Sequence, residues 1–296
     1  MKKIFLILTF CFAFLFKENL TFSTESTTSY EEELIKKADS GSLKDQTFLG
    51  MRFLIGNKLD LAEKYFKMAS DQGDMEAQYS LGNLYFIQNK YNLAKKYFKL
   101  SSNQGHKNAP LKLGMIYYQE GNIKLAEKYF KSACEKENPV AFYNLGLLYC
   151  EQKEFEPAEK YLKLAGEKGI PDAFDNLGVL HYQQKNYGLA EKYLLLASNK
   201  KVTNAYYNLG VLYQEQGKED LAEKYYLLAY EKGNIDALCN LGILYTEQEK
   251  FELAEKYYLL ACEKGDKNAM YNLGLLYEKQ HNYGLAEKYF KMSKEK

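Results

Sequence analysis

The stretch AFYNLGLLY at residues 141–149, followed by FEPAEKYLKLA at residues 155–165, decides the fold. Ala141, Phe142, Leu145, Leu148 and Tyr149 fall at i, i+1, i+4, i+7 and i+8, one stripe of an α-helix. Phe155, Ala158, Tyr161, Leu162 and Ala165 follow at i, i+3, i+6, i+7 and i+10 and make a second stripe. The few residues between the stripes leave room only for a tight reversal, so the two helices fold back as an antiparallel hairpin.

The hairpin repeats along the chain. Ala62, Ala94, Ala126, Ala158, Ala190, Ala222, Ala254 and Ala286 lie 32 residues apart, and each has a tyrosine three residues later. Leu-Gly recurs at the same period from Leu81-Gly82 to Leu273-Gly274, with a divergent copy at Leu49-Gly50. A hairpin this small cannot bury its apolar faces alone, so stacking against its neighbours must complete the core. Gly73, Gly105, Gly169, Gly233 and Gly265 follow the second helix, where a left-handed residue ends it. Glu137 and Lys201 stand there in two copies, whose turns are expected to be less regular. Asp172, Asn204, Asp236 and Asn268 are placed to cap the next helix. Glycine inside a helix costs about 0.5–1 kcal/mol, so Gly146 needs a compensating cause. The expectation is that it faces Ala158 and Ala165, small residues meeting along the helix seam.

The run Phe142-x2-Leu145-Gly146-x2-Tyr149, then Ala158-x3-Leu162-x2-Ala165, resembles the tetratricopeptide repeat and is equally similar to the related Sel-type repeats. The resemblance covers residues 45–296, with a period of 32 in place of 34 or more and without the motif's closing proline. It implies an all-α, right-handed α-solenoid of antiparallel helix hairpins whose first helices line a concave face. It also implies a protein or peptide partner.

The N-terminus reads differently. Lys2 and Lys3 precede an uncharged run from Ile4 to Phe16, then Lys17-Glu18 and a Ser/Thr stretch. That run suits a secretory signal and is shorter than the roughly 18–20 residues of a membrane span. The expected organisation is a signal peptide at residues 1–23, a polar linker with a partial capping helix at 24–44, and the repeat array at 45–296. The expected location is the periplasm or cell envelope of a bacterium, with no integral membrane span once the signal is removed.

With 40 basic and 39 acidic residues the chain is near neutral, so no basic face invites nucleic acid. Cys134, Cys150, Cys239 and Cys262 lack the spacing of a disulfide framework. His106, His181 and His281 fall in different parts of the period, and His181 replaces the tyrosine of Tyr149, Tyr213 and Tyr245. No catalytic triad, paired-acid site, phosphate loop or metal-ligand set is apparent. No enzyme activity, cofactor or metal is expected.

Function must then sit where the residues vary within a fixed frame. One position on the first helix reads Tyr79, Leu111, Tyr143, Asp175, Tyr207, Cys239, Tyr271. Its four tyrosines form a spaced aromatic ladder along the implied concave face, or else pack on the adjacent hairpin. Beside it stand Asn144, Asn176, Asn208, Asn240 and Asn272, whose amides suit either a peptide backbone or a neighbouring helix. Glu151, Asp175, Glu215, Glu247 and Glu278 tilt the face acidic against Lys112 and Lys279. The Lys/Arg clamp with which chaperone-binding tetratricopeptide proteins hold a C-terminal carboxylate is missing.

On the second helix, Lys67, Lys99, Lys131 and Lys163 give way to Leu195, Leu227 and Leu259 before Lys291 restores the lysine. These leucines make either an apolar stripe, serving as a second interface for self-association or docking, or a buried contact with neighbouring helices. Two functional readings follow: an envelope scaffold holding a polypeptide in its groove, or an envelope glycan-binding protein or hydrolase.

Overall fold

A computed structural model describes residues 24–295, so the expected signal peptide at 1–23 lies outside the described residues. Among the described residues every regular element is an α-helix. In chain order these are α1 (Thr24–Asp39), α2 (Leu43–Ile55), α3 (Leu59–Asp71), α4 (Met75–Ile87), α5 (Tyr91–Asn103), α6 (Ala109–Gln119), α7 (Ile123–Glu135), α8 (Pro139–Glu151) and α9 (Phe155–Glu167). They continue as α10 (Asp172–Gln183), α11 (Tyr187–Asn199), α12 (Thr203–Glu215), α13 (Glu219–Glu231), α14 (Asp236–Glu247), α15 (Phe251–Glu263), α16 (Lys267–Lys279) and α17 (Tyr283–Lys294). None is long and apolar enough to cross a membrane.

The chain divides into two compact units, one ending at Ile116 and the other starting at Tyr117. In the first, α1 lies against α2: Leu34 and Ala38 are buried, and the Gln46 amide donates to the Ala38 carbonyl at 2.9 Å. The hairpins α2/α3 and α4/α5 follow. In the second unit, α8/α9, α10/α11, α12/α13, α14/α15 and α16/α17 are antiparallel hairpins, each stacked on the next. The period of 32 and the two stripes per period thus produce an all-α solenoid of helix hairpins.

The glycine seam differs from the expectation. A Cβ added to Gly146 would lie 2.7 Å from Leu162 Cγ, so the glycine makes room for a large side chain and not for Ala158 or Ala165. The same lock recurs sixteen residues apart, with Gly178 under Leu194, Gly210 under Tyr226, Gly242 under Tyr258 and Gly274 under Phe290. Tyr226 is fully buried as a result. Burial of such a ring or branched side chain, about 1.5–3 kcal/mol, exceeds the propensity lost at the glycine.

The turns also correct the sequence reading. Glu137 (φ 59°) and Lys201 (φ 63°) take the left-handed conformation that Gly169 takes at 97°. Their closing bonds are ordinary: Asn138 N to Ala133 O at 3.2 Å and Val202 N to Ala197 O at 3.1 Å, against Ile170 N to Ala165 O at 3.0 Å. These two turns are therefore regular, because the flanking helices over-determine a conformation that costs a non-glycine residue about 1–2 kcal/mol. A second left-handed position closes the turn inside each hairpin, at Lys153, Lys185, Gly217, Glu249 and His281 of the second unit. Helix caps come from the residue after the left-handed turn residue. Asp74 accepts from Ala77 N, Asn138 from Val140 N and Ala141 N, and Asp266 from Asn268 N and Ala269 N. Asp172 and Asp236 lie already inside their helices as first residues; α14 is capped instead by Asn234, which accepts from Ala237 N at 3.2 Å, and the residue before α10 makes no side-chain cap bond.

Candidate binding groove

In the second unit α8 runs beside α10, α10 beside α12 and α14 beside α16, whereas successive second helices approach each other less. First helices that crowd together while second helices spread apart put the first helices on the inner side. Along that side the residue four after each ladder position is aliphatic: Leu147, Val179, Val211, Ile243 and Leu275. The first four are half-buried and Leu275 is exposed, so they form an apolar floor open to solvent on one face. This floor was readable only once the inner face was known. In sequence its residues look like ordinary members of a broad helix stripe.

The ladder residues and asparagines form one wall. The Asn176 amide donates to the Tyr143 hydroxyl at 3.1 Å, Asn208 to Asp175 Oδ1 at 2.8 Å, Asn240 to the Tyr207 hydroxyl at 3.1 Å, and Asn272 to Cys239 Sγ at 3.6 Å. Each bond joins one hairpin to the next, so the wall is held in register by the amides that line it. Asn144 donates back to the Val140 carbonyl at 2.9 Å, as Asn176 does to that of Asp172. Tyr143 and Tyr207 are half-buried, while Tyr271 is 49% exposed and leans on Phe290 with ring centroids 5.4 Å apart. Burial pushes the Tyr143 phenol up to about 12. In the first unit Tyr79 stacks on His106 at 4.0 Å.

Asp175 is the exception in this wall. Its residue is 8% exposed, and burial pushes its carboxyl up to about 6, a rise that Asn208 moderates and the charge of Asp172 reinforces. At the helix ends Glu151 accepts from the Tyr118 hydroxyl at 2.5 Å and Glu247 from the Gln214 amide at 2.9 Å, which places both carboxylates on the inner side.

Leu195, Leu227 and Leu259 are half-buried and pack against the core of the second unit, while Lys131, Lys163 and Lys291 at the same position are exposed. The exposed leucines of the second helices in this unit are others: Leu189, Leu221 and Leu253, at 41%, 36% and 38%. Cys134 and Cys239 are buried, and burial raises all four thiols well above the usual range, so none is poised as a nucleophile. His181 is buried against Tyr193 with centroids 5.4 Å apart, and neither ring nitrogen has a hydrogen-bond partner. Among the described residues no group of three His, Cys, Asp or Glu side chains could hold a metal ion.

Models of the tetratricopeptide repeat match residues 76–101, 111–173, 203–231 and 235–263, and the Sel1 repeat model matches residues 46–74, 176–202 and 267–296. No curated protein sequence matches the chain. Among solved structures, a protective antigen of uropathogenic Escherichia coli with an SLR fold is similar at TM-score 0.72 and 20% identity, over 88% of this chain. The match spans 62% of that protein's length. A Sel1 repeat protein from Oxalobacter formigenes is similar at TM-score 0.69 and 20% identity, over 95% of this chain and 94% of that one. PilF of Pseudomonas aeruginosa is similar at TM-score 0.55 and 21% identity, over 62% of this chain and 88% of that one. At these identities the likeness is one of fold.

Proposed function

The chain belongs to the tetratricopeptide and Sel1 repeat class, a solenoid of the kind that serves as a protein-interaction scaffold, and from this premise we propose that its second unit holds a polypeptide segment in the inner groove without catalysing a reaction. The observation that carries this is the floor of Leu147, Val179, Val211, Ile243 and Leu275. It leaves aliphatic surface open to solvent beside a wall with an amide on every first helix from α8 to α16 and a phenol on α8, α12 and α16. Apolar floors with a few convergent polar groups bind; they lack the paired nucleophile and base of a hydrolase. The aliphatic residues would take a ligand's apolar side chains, and the amides its backbone. The cell envelope of a bacterium is the proposed location. Lys2, Lys3 and the apolar run to Phe16 support it, as does the bacterial origin of similar folds.

The test is a photo-crosslinking residue at Val211, with a second variant carrying it at Lys224 on the outer side, in cells of the source bacterium. A single polypeptide captured from position 211 in the envelope fraction and not from 224 is the expected result. Capture from 224 alone, or of glycan in place of polypeptide, would contradict it.

A further inference from the structure

Lys160, Lys192, Lys224, Lys256 and Lys288 stand over the rings of Tyr161, Tyr193, Tyr225, Tyr257 and Tyr289 on the second helices. Each of these lysines follows a glutamate, Glu159, Glu191, Glu223, Glu255 and Glu287, so the outer side carries both signs. The inner side carries the carboxylates of Glu151, Asp175, Glu215 and Glu247, with Lys279 as a cation at its C-terminal end.

Asp175 is the most demanding of these groups. Tyr143, Tyr207, Tyr271 and Cys239 occupy the same position in the other hairpins of this unit, and none is a carboxylate. Asp175 is more than nine-tenths buried, and Asn208 satisfies one oxygen at 2.8 Å. The groups that face it are Asn208 from the following hairpin, the Tyr143 phenol from the preceding one and Asp172 on its own helix; none is a cation. A buried carboxylate with one neutral donor and another carboxylate for a neighbour is held at a cost, which a cation would offset.

The rim repeats the pattern. Glu151, Glu215 and Glu247 are the last residues of α8, α12 and α14. A helix C-terminus already carries partial negative charge, so a carboxylate is disfavoured there and a cation favoured. Neutral donors alone answer Glu151 and Glu247, from Tyr118 and Gln214, and Glu215 lies near enough to Tyr182 to raise its phenol. The same position is Gln183 on α10 and Lys279 on α16, so carboxylates flank the apolar floor at α8, α12 and α14.

We infer that the occupant of this groove is a basic polypeptide segment, its aliphatic side chains on the floor from Leu147 to Ile243 and one lysine or arginine reaching the Asp175 carboxylate. Both parts are needed: the floor alone would accept any apolar segment, and the acidic rim alone any cation. The inference rests on the groove-binding function proposed above and names its ligand. It excludes acidic segments, which would meet Asp175, Glu215 and Glu247 together.

The test is selection of a displayed library of random peptides on the full chain in EDTA. The enriched peptide, labelled, is then titrated against wild type, Asp175→Asn and Val211→Gln. Asparagine keeps the shape and can still accept from Asn208, and its melting temperature is measured alongside. The expected result is enrichment of peptides with a lysine or arginine among aliphatic residues. Binding should be about tenfold or more weaker in both variants. Wild-type binding should also fall as pH drops through about 6, a dependence absent from Asp175→Asn. Peptides that depend on Val211 but carry no basic residue, or bind Asp175→Asn equally, would overturn the inference and leave the groove reading standing. If no enriched peptide depends on Val211, both fail.

Discussion

The Tyr149 hydroxyl donates to Glu127 at 2.8 Å, from the first helix of one hairpin to the second helix of the hairpin before it. Tyr213 reaches Glu191 at 2.7 Å and Tyr277 reaches Glu255 at 2.6 Å in the same way. Each of these tyrosines also stacks on the tyrosine of its own partner helix, as Tyr213 does on Tyr225 at 5.4 Å. One side chain therefore ties its hairpin internally through the ring and to the preceding hairpin through the hydroxyl. Tyr213→Phe keeps the stack and removes only the bond to a charged acceptor, so it should cost about 1–2 kcal/mol in denaturant unfolding. Because hairpins in an array couple to their neighbours, hydrogen exchange should quicken around α11 and α12 first.

The glycine lock gives a paired test. A Cβ on Gly210 would lie 2.5 Å from the Tyr226 ring, whereas Gly188, on α11, has nothing within 4 Å. Gly210→Ala should displace a fully buried ring and destabilise by about 1–3 kcal/mol. Gly188→Ala should raise stability by about 0.4–1 kcal/mol. Equal effects in thermal melts would refute the lock.

How much of this was legible beforehand depends on what kind of residue carried it. Leu145, Tyr149, Ala158 and Leu162 write the hairpin into the period, and the fold follows. The partner of Gly146 did not follow, because periodicity says which residues share a face but not which of them fills the space a missing Cβ leaves. Glu137 and Lys201 were misread because local preference disfavours a positive φ there, and the flanking helices override it. The ladder from Tyr143 to Tyr271 was visible as a row. That Asn176 and Asn240 bond its hydroxyls, 33 residues apart, depends on how hairpins stack, and no single hairpin encodes that.

Leu195, Leu227 and Leu259 remain a proposed second interface, now with their half-buried state known. Changing all three to lysine separates two outcomes. A fall of the melting temperature in proportion to lost apolar contact would mark them as packing residues. Unchanged melting with loss of a dimer in sedimentation would mark an interface.

Asp175 gives stability a pH dependence of definite sign. Its folded value of about 6 lies above the ordinary 3.8, so between these pH values the folded chain holds a proton that the unfolded chain has released. Stability from this group therefore falls as pH rises from about 4 to 6 and stays reduced above it. Asp175→Asn should be more stable than wild type at pH 7.5 by at most about 2–3 kcal/mol, with the difference vanishing near pH 4. A variant less stable than wild type at pH 7.5 would show that the carboxylate is already compensated within the fold.

Whether the inner floor is the binding surface is tested most directly by calorimetric titration of the polypeptide segment crosslinked at Val211. It would be titrated against wild type, against a Val179→Gln, Val211→Gln, Ile243→Gln triple variant, and against Lys224→Ala on the outer side. The expected result is binding weakened at least about tenfold in the floor variant, with its melting temperature kept, and undisturbed in Lys224→Ala. Full affinity in the floor variant, or loss in Lys224→Ala alone, would contradict a groove-binding scaffold.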